Sequence, residues 1–119
     1  MRFKTPTRWI SYIASLALLA TAFPAAAERK EVDLRLPTRN GEDYTVLVRR
    51  AETLARTAAQ SMFDREILVS DVSIKITAED QAQAALVLQM NVTRSDWYSR
   101  PDPRIWSTYF PVAQDLLQL

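Results

Sequence analysis

The sequence contains no cysteine and no histidine, and its only glycine is Gly41. Without Cys or His there is no disulfide, zinc finger, iron–sulfur cluster, His- or Cys-ligated haem or catalytic thiol. A Ser-His-Asp triad is excluded too, because the proton-shuttling imidazole does not exist here. One glycine cannot build a Gly-rich phosphate cradle, which needs several close backbone approaches. Charge of one sign is also scarce: 15 Lys+Arg stand against 14 Asp+Glu, a formal +1 that disfavours a strongly basic nucleic-acid binder. What the chain has instead is an apolar fraction of 48% over 119 residues, ample for one small core.

Part of that apolar content reads as an address. Met1–Arg8 carries Arg2, Lys4 and Arg8 and no acid, and Trp9–Phe23 follows as an apolar stretch. Pro24 then breaks any helix, and Ala25, Ala26 and Ala27 supply the small side chains a signal peptidase accepts. A charged start, an apolar run and an A-x-A site predict a secretory signal over 1–27. The run is shorter than the roughly 20 apolar residues that a membrane span needs. No Cys follows the site to carry a lipid, and no Arg-Arg pair stands in the charged start to mark a twin-arginine route. Removing 27 of 119 residues leaves Glu28–Leu119, 92 residues long. Three of the 15 cations leave with the signal and no acid does, so 12 face 14 and the formal charge becomes −2. Nucleic acid is not an expected partner, and no stable membrane span is expected after cleavage. A chain of this size buries roughly 60–65% of its unfolded surface, so stability must come from one small core or from self-association.

Over 28–43 the pattern is an N-terminal segment with a possible short strand. Val32, Leu34 and Leu36 alternate with Asp33 and Arg35, the period of a half-buried strand, and a frayed terminus is the alternative. Pro37 ends the strand, and Asn40-Gly41 marks a turn. The remaining 44–119 reads as a single α+β domain. From Asp43, a candidate N-cap, Leu47, Ala51, Leu54, Ala55, Ala58 and Met62 recur at helical spacing, with Val48 and Phe63 widening the stripe. Alanines at 51, 55, 58 and 59 suit close approach to a flat partner such as a sheet. Two strands follow, each with one greasy and one largely polar face, the greasy residues being Leu68, Val72, Ile74 and Ile76 in the first and Leu86, Leu88, Met90 and Val92 in the second. A polar loop over Ala78–Gln83 joins them. Asp102 caps a last helix that starts at Pro103, carries Ile105, Trp106, Tyr109, Phe110, Ala113, Leu116 and Leu117, and kinks at Pro111. The expected fold is therefore α+β: a small antiparallel sheet in the order β-α-β-β-α, its first strand the open question, with two helices packed on one face.

Aromatic residues are the most unusual feature. Five of the seven beyond the signal fall between 97 and 110, interleaved with Arg100 and Arg104 and preceded by Arg94. Such a cluster can stack on sugar rings while its arginines bind acidic groups. Helical spacing assigns Trp106 and Phe110 to the core instead, which leaves Arg94, Trp97, Tyr98, Arg100 and Arg104 as the candidate contact residues. Arg49, Arg50 and Arg56 form a cationic helix face diluted by Glu52. Acidic pairs at Glu42-Asp43, Glu79-Asp80 and Asp96…Asp102 fit neither a calcium loop nor a glycosidase cleft, so no metal, cofactor or catalytic residue is expected. Asp96 and Asp102 are the only carboxylates worth testing for catalysis.

The stretch Val48-Arg49-Arg50-Ala51-Glu52 with Arg56, Asp71-Val72-Ser73, and Trp97…Arg100-Pro101…Trp106-Ser107-Thr108-Tyr109-Phe110 resembles a group of small exported cyanobacterial proteins over roughly Tyr44–Leu117. The resemblance implies an envelope or lumenal address and a helix–hairpin–helix body, and it transfers no catalytic residue. The expected role is thus a non-enzymatic exported module of the periplasm, thylakoid lumen or exterior, acting through a protein partner or self-association. The alternative is a small-ligand or glycan-binding module built on the 94–110 cluster.

Overall fold

The computed structural model describes residues 27–119, so the expected signal segment lies outside it apart from Ala27. Strand β1 (Glu28–Pro37) leads through a turn into helix α1 (Tyr44–Arg65), then strands β2 (Val69–Glu79) and β3 (Ala84–Thr93). Helices α2 (Arg94–Ser99) and α3 (Pro103–Trp106), strand β4 (Ser107–Tyr109) and helix α4 (Val112–Leu116) complete the chain. The strands form one four-stranded sheet in the order β1-β2-β3-β4, and the fold class is α+β.

The sheet is mixed rather than wholly antiparallel, because β1 runs parallel to β2. The reason is the helix between them. Twenty-two helical residues span roughly 33 Å, about the length of a ten-residue strand, so α1 carries the chain back to where β1 began. A strand starting there must run parallel to the first. Pairing from Glu28↔Val69 to Pro37↔Glu79 also makes β1 a full member of the sheet, longer than the five residues read from alternation. Gly41, at φ +73°, takes the left-handed position in the turn that follows.

Helix α1 starts where its chemistry demands: Asp43 is the N-cap, its carboxylate accepting from the Val46 N–H at 2.9 Å. Leu47, Ala51, Ala55, Ala59 and Phe63, spaced by four, are all buried. Three alanines in the middle of that ridge let the helix lie close on the sheet, with Leu47 and Phe63 bracketing it. It covers β2 and β3 rather than β1. Beneath it lie Val72, Ile74, Ile76 and Ala78 of β2 and Leu88, Met90 and Val92 of β3, all buried. The other sheet face is polar and open to solvent, with Arg29, Glu31, Asp33 and Arg35 of β1 beside Asp71, Lys75 and Asn91.

Two further details depart from the periodicity. A register shift between Ile76 and Thr77 sets Ile76 against Leu88 but Thr77 against Leu86. Val87 is thus an extra residue, and the inward set of β3 changes phase there. Ala85 and Val87 point into the core on one side of the bulge, and Leu88, Met90 and Val92 do so on the other. Leu86 is half-buried instead of core, and Leu68 lies before β2, 59% exposed. The expected last helix is also broken in two. Asp102 and Pro103 open it as expected, the Asp102 carboxylate accepting from the Arg104 N–H at 3.0 Å. It stops at Trp106, because Ser107–Tyr109 pairs with β3 across Met90, Gln89 and Leu88. Pro111 does not kink a helix but begins a new one, as the N-cap of α4.

Candidate contact surface

The residues read as a contact cluster divide sharply once folded. Thr93 caps α2, its hydroxyl accepting from the Asp96 N–H, and this short helix turns the chain back across the end of α1. Arg94 lies inward there. Its Nε donates to the Val69 carbonyl (3.0 Å), and its two Nη atoms donate to the carbonyls of Phe63 (2.8 Å) and Glu66 (2.7 Å). The guanidinium also lies over the Phe63 ring, 5.0 Å from its centroid. Arg94 therefore closes the C-terminus of α1, where unpaired carbonyls and the negative end of the helix dipole favour a cation. It acts as a structural clamp, with three of its five N–H donors committed to the fold.

Trp97 is likewise internal, with none of its surface exposed, and its Nε1 donates to the Gln60 side-chain carbonyl at 3.0 Å. A ring with no open face cannot stack on a sugar, so the glycan reading loses its strongest residue. Tyr98 alone of the aromatic candidates is open, 52% exposed, with its hydroxyl donating to Asp64 at 3.2 Å. Arg100 is exposed. Arg104 forms an exposed fork with Asp102 (3.1 Å), which raises the pKa of Arg104 and lowers that of Asp102. Asp102 is thereby committed as cap and ion-pair partner, and Asp96 is solvent-exposed.

Behind that fork, Tyr109 of β4 donates its hydroxyl to Glu52 of α1, tying the last strand to the helix. Burial and then the Glu52 carboxylate push the Tyr109 hydroxyl well above its ordinary pKa. An open groove of about 760 Å³ runs along this flank of α1 past Arg56, Gln60, Asp64, Trp97 and Pro101. Its charged rim mixes both signs and its Trp is buried in the wall. Among the described residues no group of three or more Asp and Glu side chains is placed to hold a metal ion. No described helix is long and apolar enough to cross a membrane.

The opposite flank is built differently. Strand β1 is one of the two edge strands of the sheet, paired on one side only among the described residues. With α1 seated over β2 and β3, the inner face of β1 is roofed only by the flank of the helix. Val32 and Leu34 are half-buried there, as are Leu54, Ala58 and Met62 of α1, and Leu36 alone is closed in. A second groove, of about 510 Å³, opens between Leu36, Val46 and Leu54 at the end of this strand.

The start of α1 beside that groove is held rigidly. Arg50 donates to both carboxylate oxygens of Glu42 (2.8 and 2.7 Å) and to the Pro37 carbonyl (3.1 Å). The Arg39 N–H donates to the same carboxylate at 3.0 Å. Burial alone would raise the Glu42 pKa, but the Arg50 and Arg39 hydrogen bonds and their charges overcome it and hold the carboxyl below its ordinary value. Arg50 thus leaves the cationic helix face and fixes the end of β1 to α1. Glu42 and Arg50 were not legible as a pair, since they stand eight positions apart across the start of the helix.

No family model, curated protein or solved structure matches the chain.

Proposed function

We propose that the protein is an exported, non-enzymatic contact module that binds a partner by adding a strand to the open edge of β1. One observation carries this reading: a ten-residue outer strand leaves its outer backbone edge unpaired among the described residues and keeps apolar side chains only half covered beside it. An unpaired row of N–H and C=O groups is a template for another strand, and proteins that do not use such an edge protect it. Protection here is thin. No bulge interrupts the centre of β1, proline stands only at its end, and the charges on its inner face, Glu28 and Lys30, stand at its start, with Lys30 beside Glu66 at 3.5 Å.

Export is supported by the A-x-A site and by the resemblance to small exported cyanobacterial proteins. Strand β1 begins at Glu28, so cleavage after Ala27 leaves the whole sheet intact. In the envelope or lumen a chain without disulfides gains most from an interface that extends its sheet and covers the flank of α1.

The test is site-specific photocrosslinking in cells that export the full chain. A photoreactive residue at Asp33, on the edge strand, is expected to give a covalent adduct. The same residue at Lys75, on the open face of the interior strand β2 and paired on both sides, is the control. Adducts absent at Asp33, or equally strong at both positions, would overturn the reading.

A further inference from the structure

The charges on β1 narrow the partner. Along its solvent face the strand carries Arg29, Glu31, Asp33 and Arg35, a plus-minus-minus-plus series. An edge protected by repulsion carries one sign, whereas this series is mixed and can be complementary to itself. We infer that the strand docking on β1 is β1 of a second copy, antiparallel and centred on Leu34, so that two sheets join into one. The inference rests on the strand-addition reading above and adds the partner and the register.

The register follows from which charges come to face each other. In an antiparallel pair, residues directly opposite share a face, and like charges there are destabilising. Centring the pair on Glu31 or on Asp33 places that carboxylate against its own copy. Centring on Val32 sets Arg29 against Arg35 and Glu31 against Asp33, two kinds of like-charge contact. Centring on Leu34 sets Asp33 of each chain against Arg35 of the other and Glu31 against the uncharged Pro37.

The inner face agrees with the same register. Leu34 meets Leu34, and Val32 of each chain meets Leu36 of the other, so every pair there is apolar. Val32 and Leu34 are the half-buried side chains that α1 leaves partly open, and the second copy supplies what covers them. Asp33 also has no ion-pair partner within its own chain among the described residues, while Arg35 reaches Glu79 only by an exposed contact of 2.9 Å. A two-fold axis through the Leu34 pair makes the contact closed, with the same patch used on both chains.

Sedimentation of the full chain across a concentration series is expected to show a reversible two-chain species. Asp33→Arg and Arg35→Asp each bring two pairs of like charges together, and each is expected to weaken association at least tenfold. The double variant D33R/R35D restores both attractions and is expected to recover the original association. Weakening by each single variant together with recovery in the double is the pattern of the Leu34 register, because centring on Asp33 would leave the double variant with repulsion at every charged pair, and centring on Val32 would make each single variant associate more tightly. A wild-type chain that stays single at every concentration, or a double variant no better than either single one, would overturn the inference. Both positions are exposed, so these variants leave the core untouched.

A second measurement needs no charge change. Since the sequence has no cysteine, Leu34→Cys places one thiol at the two-fold, where directly opposed side chains lie within disulfide reach. Oxidation is expected to give a two-chain band on a non-reducing gel, and failure to form it would count against the register. The Asp33 photocrosslink separates the two readings. An adduct of twice the chain mass supports self-pairing. An adduct of another mass overturns self-pairing and leaves strand addition standing, and no adduct removes both.

Discussion

At the scale of single residues, the fold is closed by a clamp and a plug that the sequence advertised as a binding site. Arg94 donates to three carbonyls at the end of α1 and the start of β2, and its rigid fork can do so where lysine cannot. Arg94→Lys is therefore expected to destabilise nearly as much as Arg94→Ala, by about 2–3 kcal/mol, read from urea midpoints. Trp97→Ala removes the largest fully buried side chain and is expected to cost about 3–5 kcal/mol. Neither role was legible, because Arg94 lies 25 to 31 residues from the carbonyls it binds. One local signal did exist: a cation in the first turn of a helix opposes the helix dipole, which implies that its partner lies elsewhere. Glu42 makes the complementary prediction. Its pKa is depressed on folding, so its contribution is fully present above the unfolded value near 4.5 and is lost as pH falls through the lower folded value. Glu42→Gln is expected to lower stability at neutral pH and to flatten the acid limb below about pH 4.5, in urea titrations across pH.

Elements were legible wherever a period ran long enough, and were misread where a single residue broke it. Helix α1 declared itself by its cap, its apolar stripe and its alanines. Strand β2 followed from simple alternation from Val72 to Ile76, but at its start Val69 is buried where the alternation pointed to Leu68. In β3 the run Ala85-Leu86-Val87-Leu88 is apolar at every position, so alternation cannot say which residues point inward. The bulge at Val87 decides it, and the bulge depends on pairing with β2. The consequence is testable by comparing neighbours. Val87→Ala, at a fully buried site, is expected to cost about 2 kcal/mol. Leu86→Thr, on the open face, is expected to cost less than half of that despite removing a larger apolar side chain. Equal costs in chemical denaturation would place both side chains in the core and remove the bulge. Near the C-terminus the same limit applied. Ile105, Trp106, Tyr109 and Phe110 keep helical spacing, but Ser107–Tyr109 gains hydrogen bonds along β3 that a helix would forgo.

For the whole molecule the decisive feature is where the sheet starts. The parallel partner of β2 comes before α1 in the chain, so the strand nearest the expected cleavage point forms one entire side of the sheet. Cutting downstream of Glu28 would remove residues that pair with Val69, Asp71 and Val72, and would also shorten the edge on which association depends. We propose that processing falls between Ala27 and Glu28, at the A-x-A pattern of the sequence, which would keep every described residue of β1. The full chain expressed in an exporting bacterium is expected to appear in the envelope fraction with Glu28 as its first residue, read by intact mass. A product that keeps Met1, or that begins at or beyond Val32, would contradict the match between signal and sheet. In the first case the chain would not be processed for export. In the second the Leu34-centred pair would lose Glu31 and its position opposite Pro37, and β1 would be too short to hold two sheets together.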